Sequence, residues 1–204
     1  MIAVTRQWLR ERQRDYYYRL AVMEGYRSRA AYKLLQTAGK YPLVNEGDVV
    51  VDIGAAPGGW MQAALTIVGE KGFVLGIDLQ PIKELKQTNV ATLVADIEKL
   101  TAEDILKRLP RRPNVVLSDI SPNLSGIWGV DHARQLDLAR VTLRLAEGLL
   151  DAGGNMLVKV FQGEFFKAYL EAVRERFEEV RTVKPKASRK QSAEMYILAL
   201  GFGG

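Results

Sequence analysis

The feature that most constrains the fold is the segment 49–60, VVVDIGAAPGGW, in which a β-branched run leads into a glycine-rich turn. Three valines before Asp52 predict a buried strand, and the apolar spacing after Gly59 predicts a helix. A strand that enters a helix through such a turn places backbone N–H groups and the positive end of a helix dipole beside a ligand. Glycine has no Cβ, so the ligand can approach the backbone closely. The segment therefore predicts an α/β fold with a ligand site at this turn.

The spacing of the glycines separates the ligand classes that use this kind of turn. A dinucleotide site has the pattern G-x-G-x-x-G, and a phosphate-binding loop ends in Gly-Lys-Ser/Thr. Residues 54–59, GAAPGG, match neither pattern, and Pro57 lacks the N–H that a pyrophosphate would use. The acid at the strand end, Asp52, suits a cationic or amine-bearing ligand such as S-adenosylmethionine. An ordinary strand-to-helix turn is the structural alternative.

Acidic residues also follow the next two predicted strands. Asp78 ends the strand that begins at Phe73, and it lies about twenty residues after Gly58, the distance at which an acid reaches ribose hydroxyls. The third strand, residues 90–95, is followed by Asp96, which suits either the exocyclic amine of adenine or a helix cap. The glycine turn and Asp78 together imply an adenosine-type ligand.

Two further strands carry candidate catalytic groups. The fourth strand, residues 114–119, ends in Asp119 and continues into a loop at the carboxyl end of the sheet, where open α/β sheets place their sites. The fifth, residues 154–161, has Lys159 inside an apolar run. A central parallel strand is covered on both faces, so a buried amine there must find acidic partners or give up its proton. The alternative is a lysine that reaches solvent at the strand end.

Strands alternate with helices along the chain, which predicts one doubly wound α/β sheet. The expected helix caps and stops are Ser28, Gly39, Thr101 paired with Asp104 in a helix over 101–109, and Asp131. We expect His132, in the first turn of the long helix after Asp131, to lie at the surface. The last expected elements are an amphipathic helix with Phe166, Leu170, Val173 and Phe177, a strand over 179–183 and a final strand over 192–200.

Two basic segments suit a nucleic acid, although solvated surface is the alternative for both. Residues 5–26 predict an amphipathic helix in which arginines alternate with aromatic residues, a combination that pairs with phosphates and stacks on bases. The loop 184–191 is basic and lies beside the acid that begins the last strand, which favours phosphate binding. The predicted RNA-binding residues are Arg27, Arg29, Lys184, Lys186, Arg189 and Lys190.

Composition narrows the class of protein further. The 204 residues suit one domain, and no apolar run reaches the ~20 residues of a membrane helix. The absence of cysteine excludes disulfides and thiolate metal sites and leaves the cytoplasm as the default compartment. His132 is the only histidine, so we expect no metal site. The net charge of +5 is compatible with RNA but does not establish it.

Five blocks of sequence, in order, resemble the RrmJ/FtsJ family of RNA ribose 2′-O-methyltransferases. The blocks are YRSRAAYKL at 26–34, DIGAAPGGW at 52–60, SDISPN at 118–123, LVKVF at 157–161 and SAEMY at 192–196. The resemblance spans about Tyr16 to Phe202. It implies a Rossmann-like class I methyltransferase fold with a doubly wound seven-stranded sheet, mostly parallel with an antiparallel last strand, and S-adenosyl-L-methionine as the cofactor.

The resemblance also implies site residues. A Lys-Asp-Lys-Glu tetrad falls on Lys33, Asp119, Lys159 and Glu194. Family cofactor contacts fall on Gly58, Trp60, Asp78, Asp96 and Asp119, to which we add the neighbouring Asp52, Gly54, Pro57, Gly59, Leu79 and Ile97. In this interpretation Lys159 receives or holds the proton of a ribose 2′-hydroxyl, while Asp119 and Glu194 orient the reacting groups.

We expect a single methyltransferase domain over residues 1–204, with a basic N-terminal helical segment at about 1–26. The chain most resembles enzymes that modify large-subunit ribosomal RNA, most often at a uridine, and transfer RNA is the closest alternative substrate. We expect a cytoplasmic monomer that acts on RNA within the large ribosomal subunit. A non-catalytic RNA-binding or ribosome-assembly module is a further alternative, and the glycine spacing disfavours a nicotinamide-dependent oxidoreductase.

Overall fold

Strands and helices alternate over much of the computed structural model, which describes residues 15–189 and 191–204. The helices are α1 (Tyr16–Glu24), α2 (Ala31–Ala38), α3 (Gly59–Val68), α4 (Ala102–Leu106), α5 (Trp128–Leu149) and α6 (Phe166–Arg174). The strands are β1 (Val49–Ile53), β2 (Phe73–Asp78), β3 (Val90–Val94), β4 (Val115–Ser118), β5 (Asn155–Phe161), β6 (Phe177–Val183) and β7 (Glu194–Phe202).

Within the described residues the strands form one seven-stranded sheet in the order β3-β2-β1-β4-β5-β7-β6. The first five strands are parallel, and β7 lies antiparallel between β5 and β6. The predicted Rossmann-like sheet with an antiparallel last strand is therefore confirmed. The reversal places the start of β7 beside the carboxyl end of β5, so Glu194 is opposite Phe161 and Tyr196 is opposite Lys159.

Each face of the sheet has its own hydrophobic core, because successive side chains of a strand point to opposite faces. Val51 and Ile53 of β1 pack on one side together with residues of α4, α5 and α6. Val50 packs on the other side together with residues of α2 and α3. Helices on both faces explain why the central strands are buried along their whole length.

Some helix boundaries differ from the sequence predictions. Gly39 ends α2 as predicted, and Thr101 with Asp104 forms a complete capping box on α4, which ends at Leu106. The prediction for Ser28 was wrong. The residue before α2 is Ala30, and Ser28 packs instead against Gly59, where an added Cβ would lie 2.2 Å from its hydroxyl oxygen.

The start of α5 also differs from the prediction. Ile127 rather than Asp131 is the capping residue, although the Asp131 carboxylate in the first turn accepts hydrogen bonds from the backbone of Ser125 and Gly126. His132 was wrongly predicted to be a surface residue, because its ring is buried against neighbouring aromatic rings. Phe177, expected on the amphipathic helix, instead begins β6.

The predicted basic helix over 5–26 is seen only in part. Its described portion is α1, which Asp15 caps by accepting a hydrogen bond from the backbone of Tyr18. The predictions for residues 1–14 and for Lys190 lie outside the described residues. None of the helices among the described residues is long and apolar enough to span a membrane.

Candidate active site

A cleft of about 740 Å³ opens at the carboxyl ends of β1, β2 and β4. This is the edge at which open α/β sheets bind their ligands. Seven of the predicted cofactor residues line it: Gly54, Pro57, Asp78, Leu79, Asp96, Ile97 and Asp119. The cleft therefore has carboxylates after β2, β3 and β4, with the glycine turn of β1 between β2 and β4, and it also has apolar lining residues.

The turn after β1 has a conformation that requires glycine. Gly54 has φ 76°, and a Cβ on it would lie 2.7 Å from Ile120 in the loop after β4. The two loops that form the floor of the cleft are thus in direct contact. Asp78 fixes the same turn from β2, because its carboxylate accepts hydrogen bonds from the backbone of Ala56 at 3.0 Å and of Gln80 at 2.8 Å. A carboxylate has further lone pairs with which to accept a ligand's hydroxyl groups.

Asp52 lies behind the cleft rather than in its described wall. It is fully buried, and neither carboxylate oxygen has a hydrogen-bond partner among the described residues. Burial, followed by the charges of Asp119 and Asp78, raises the pKa of Asp52 well above its ordinary value. The sequence predicted a ligand contact here, and the structure instead gives a carboxyl group held at the back of the site.

Gly58, Gly59 and Trp60 also lie outside the described wall of the cleft. Trp60 is buried, donates a 2.7 Å hydrogen bond to the carbonyl of Ala30, and packs 5.8 Å from the ring of Tyr196. Gly58 has φ 105° and lies beneath the Arg27 side chain. These residues join α3 to the segment before α2.

The four residues of the predicted tetrad come together from separate elements. Lys33 projects from α2, Asp119 follows β4, Lys159 lies in β5 and Glu194 begins β7. Lys33 Nζ lies 3.6 Å from Asp119 and 3.5 Å from Glu194. Lys159 Nζ lies 3.3 Å from the Asp119 carboxylate and donates a 2.7 Å hydrogen bond to the Asp119 carbonyl. Two ammonium groups thus share one central carboxylate.

The charges of the tetrad hold Asp119 in its ionised form. Burial on its own would raise the pKa of Asp119, but the ammonium groups of Lys159 and Lys33 and a hydrogen bond from Tyr196 outweigh it, and the pKa lies below its ordinary value. Both lysines are almost fully buried, with 6% of Lys33 and 3% of Lys159 exposed. Buried charges of this kind persist only when they are paired.

Sequence reasoning did not single out Tyr196, which lies at the centre of the tetrad. Its hydroxyl accepts a 2.8 Å hydrogen bond from Lys33 and donates one of 2.6 Å to Asp119. Burial and then the charges of Asp119 and Glu194 raise the pKa of Tyr196 well above its ordinary value, so the phenol keeps its proton. The available signal was its position two residues after Glu194, which places both side chains on the same face of β7.

A second pocket, of about 670 Å³, opens beside Lys33 and Glu194. Its other lining residues include Arg29 and Arg189, two of the predicted RNA-binding residues. Arg29 also pairs with Asp15. Burial, followed by the charge of Arg189, lowers the pKa of Arg29 from its ordinary value. The pocket therefore offers two guanidinium groups next to the tetrad.

Of the other predicted RNA-binding residues, Arg27, Lys184 and Lys186 lie outside the described lining of this pocket. The Arg27 guanidinium donates hydrogen bonds to the backbone carbonyls of Pro57, Lys83 and Glu84, so it is engaged within the protein. Lys184 is exposed and donates a 2.7 Å hydrogen bond to the carbonyl of Ser192, and Lys186 is exposed.

Comparison with known proteins identifies the family. The sequence model described as FtsJ-like methyltransferase matches residues 26–202, which is most of the chain. The chain belongs to the FtsJ-like methyltransferase family. This confirms the family resemblance that the five sequence blocks indicated, and with it the assignment of the chain as a methyltransferase.

Relatives within the family match almost the whole chain. Ribosomal RNA large subunit methyltransferase E of Methanococcus maripaludis is 50% identical over 203 residues, which cover 98% of this chain and 78% of the relative. The protein of the same name from Methanocaldococcus jannaschii is 44% identical over 206 residues, covering 98% of this chain and 83% of the relative.

Solved structures share the methyltransferase fold. A crystal structure of a ribosomal RNA methyltransferase from Plasmodium falciparum has a TM-score of 0.76 at 27% identity and covers 88% of this chain and 100% of that chain. Fibrillarin of Aeropyrum pernix, crystallised with natively bound S-adenosyl-L-methionine, has a TM-score of 0.61 at 18% identity and covers 84% of this chain and 73% of that chain. At that identity the likeness shows the fold alone.

In 15–189 and 191–204 there is no group of three or more acidic or histidine side chains that could hold a metal ion.

Proposed function

We propose that this chain transfers a methyl group from S-adenosylmethionine to a ribose 2′-hydroxyl of large-subunit ribosomal RNA. The observation that carries the proposal is the contact of Lys33 and Lys159 with Asp119, because Asp119 also lines the cleft. A polar site able to hold a hydroxyl group thus directly adjoins a site able to hold a nucleoside. The names of the relatives at up to 51% identity support the class of substrate.

The cleft fits the chemistry of the proposed cofactor. Asp78 and Asp96 offer acceptors for ribose hydroxyls and for an exocyclic amine, and the acid-lined wall suits a cationic ligand. Gly54 leaves space at the floor where a side chain would collide with Ile120. S-adenosylmethionine, when bound, supplies an electrophilic methyl carbon on a positively charged sulfur.

The residues of the tetrad have distinct roles in this proposal. A ribose hydroxyl is a weak nucleophile, so it must be aligned with the methyl carbon and must lose its proton as the new O–C bond forms. The Lys159 ammonium group donates a hydrogen bond to the hydroxyl oxygen and holds it in line, and the hydroxyl proton leaves to water as the O–C bond forms. Asp119 fixes the Lys159 amine through its carbonyl and carboxylate. Lys33, supported by Glu194 and Tyr196, balances the charge of Asp119.

The second pocket gives the RNA backbone a place to bind. Arg29 and Arg189 line it together with Lys33, and guanidinium groups pair well with phosphates. Because the chain itself supplies all four tetrad residues, we expect the protein to act as a monomer. We place it in the cytoplasm, where it would act on the large ribosomal subunit.

Two alternatives differ from this proposal in a measurable way. Transfer RNA is a substrate of the same chemistry, and a non-catalytic RNA-binding module could share the fold. The complete tetrad supports catalysis over the non-catalytic module, since a binding module has no need of a buried Lys159 paired with Asp119.

The decisive experiment supplies a labelled methyl donor and asks where the label goes. Purified protein is incubated with large ribosomal subunits, with deproteinised ribosomal RNA, or with transfer RNA, all from cells that lack the corresponding gene. Mass spectrometry of nuclease digests then locates the methyl group. Label on a ribose 2′-oxygen of ribosomal RNA supports the proposal. Label only on transfer RNA selects the first alternative, and label on a base or no transfer overturns the proposal.

A further inference from the structure

An aromatic surface stands at the carboxyl end of β5, and the tetrad chemistry does not use it. We call it the aromatic platform, and it consists of Trp128, His132, Phe161 and Phe165. The Trp128 ring stacks on His132 and on Phe161 with interplanar angles of 13° and 21°, and His132 stacks on Phe165 at 10°. In these three pairs the ring centroids lie 5.8 to 6.0 Å apart. The small interplanar angles mean that the rings of each pair are nearly parallel.

Two rings of the platform are exposed to solvent, and the other two are buried. Trp128 is 53% exposed and Phe165 is 44% exposed, whereas His132 and Phe161 are 3% and 7% exposed. Ile127, beside Trp128, is 64% exposed. A large aromatic ring is costly to leave in water, and clustered exposed apolar residues mark a surface that binds something.

The platform adjoins the proposed catalytic amine. Phe161 follows Lys159 by two residues, which places it about 7 Å further along the same face of β5. Gln135, in the second turn of α5, donates a 2.9 Å hydrogen bond to the carbonyl of Lys159 and so fixes the helix that carries Trp128 to that strand. The strand partner of Phe161 is Glu194, which lines the second pocket. We call this second pocket, with Arg29 and Arg189 in its lining, the basic pocket. The tetrad therefore lies between the basic pocket and the aromatic platform.

The platform is ordered in advance of any ligand. The backbone N–H of Phe165 donates a 3.4 Å hydrogen bond to Nε2 of His132. Gly163 packs so closely on the same imidazole that an added Cβ would lie 2.7 Å from it. The loop after β5 is thus joined to α5 through His132, and the Trp128 ring rests on the buried Phe161. A surface that is already rigid loses little entropy when a flat ring stacks on it.

We propose that the aromatic platform stacks a nucleobase of the RNA substrate that neighbours the target nucleotide. This rests on the proposed function, since the tetrad would hold the target ribose. An RNA occupant is favoured over a protein because the platform lies beside the reactive groups, and the arginines on the other side of the tetrad complement the charge of an RNA backbone. Stacking on an aromatic ring strengthens binding by about 5- to 150-fold per base.

Binding experiments separate base stacking from phosphate attraction. Trp128→Ala, Trp128→Phe and the wild type are compared by fluorescence anisotropy for binding to a labelled single-stranded oligouridylate and to an abasic ribose-phosphate oligomer of equal length. We expect Trp128→Ala to bind the oligouridylate about 5- to 150-fold more weakly and Trp128→Phe to stay within about threefold of the wild type. All three proteins should bind the abasic oligomer equally.

A matched variant and a rate measurement complete the test. Val94→Ala removes an exposed apolar side chain without a π-face at the end of β3, away from the platform, and it should bind both oligomers as the wild type does. In methylation assays Trp128→Ala should raise the KM for RNA and leave kcat at saturating RNA near the wild-type value. Equal affinity of Trp128→Ala and the wild type for the oligouridylate overturns the platform, even if the wild type methylates ribosomal RNA. An equal loss of affinity for the abasic oligomer also overturns it.

Discussion

The hydroxyl of Tyr196 donates a 2.6 Å hydrogen bond to Asp119, and the same hydroxyl accepts one of 2.8 Å from Lys33. One phenol therefore connects an ammonium group to the carboxylate that both lysines share. Its ring packs on Trp60, so its position is set from the α3 side of the sheet. The arrangement makes Tyr196 a positioning residue for the tetrad.

Tyr196→Phe tests this positioning role. The change leaves Lys33 and Asp119 each without one buried partner, which costs about 1–3 kcal/mol of stability. We expect single-turnover methyl transfer to slow by about tenfold or more while cofactor affinity, measured by calorimetry, stays unchanged. Tyr169→Phe is the matched control, because the Tyr169 hydroxyl is also buried and donates to the carbonyl of Ala139. The control should lose stability but keep its rate, and equal rates in both variants would contradict the role of Tyr196.

Lys159→Met tests the proposed catalytic amine. Methionine keeps most of the side-chain volume and removes both the hydrogen bond to the Asp119 carbonyl and the positive charge. Methyl transfer should fall by about 10²-fold or more, and binding of S-adenosylmethionine should remain measurable. The exposed Lys107, paired with Asp104, provides a control as Lys107→Met. Turnover near the wild-type level in Lys159→Met would remove Lys159 from the mechanism.

Asp78→Asn tests the cofactor cleft. The carboxylate of Asp78 holds the turn after β1 and faces the cleft, so its loss should weaken S-adenosylmethionine binding by about tenfold, or about 1.4 kcal/mol. Isothermal calorimetry measures this directly. Asp104→Asn, in the capping box of α4, should lower thermal stability without changing the affinity. Unchanged affinity in Asp78→Asn would mean that the cofactor binds elsewhere.

Arg189→Ala tests the basic pocket. Arg189 is exposed beside the tetrad, and removing one phosphate contact should weaken RNA binding and lower the slope of log affinity against log salt by about one. Titrations at several salt concentrations provide the slope. Arg174→Ala, which removes an arginine paired with Glu171 on α6, serves as the control. If both variants lower the slope by the same amount, RNA binding depends on the overall charge of the protein rather than on this pocket.

Asp52→Asn tests the buried carboxyl group behind the cleft. The pKa of Asp52 is raised in the folded protein, so the contribution of this group to wild-type stability should fall as pH rises from about 4 toward that raised pKa. The asparagine variant lacks this group. The unfolding free energy of the variant, relative to the wild type, should therefore rise with pH by up to about 1.4 kcal/mol per unit. Urea unfolding of the cofactor-free protein between pH 4 and 7 measures the difference, and a flat difference would contradict the prediction.

The predictions from sequence succeeded where one local pattern determines the outcome. A run of valines is stable in water only when it is buried, so the three valines before Asp52 correctly predicted the buried strand β1. The burial of Lys159 followed from the apolar run around it, and the structure brings it to Asp119. The capping box of Thr101 depends only on residues three positions apart, so it too was visible in the sequence.

The predictions failed where distant segments meet. His132 looks like a surface residue within its helix, and only the return of the chain at Phe165 and Gly163 buries it. Ser28 has the chemistry of a cap, but its position is set by contact with Gly59. Tyr196 resembles a core residue of a strand until Lys33 and Asp119 are brought to its hydroxyl.

Asp119 belongs to both parts of the candidate site, since it lines the cleft and also pairs with both lysines. Any substitution that moves this carboxylate is expected to change both the binding of the methyl donor and the loss of the hydroxyl proton. The cleft and the lysine pair therefore cannot change independently of each other. New acceptor preferences would have to arise at the outer rims, by substitutions at residues such as Arg189 and Trp128, while this central anion stays in place.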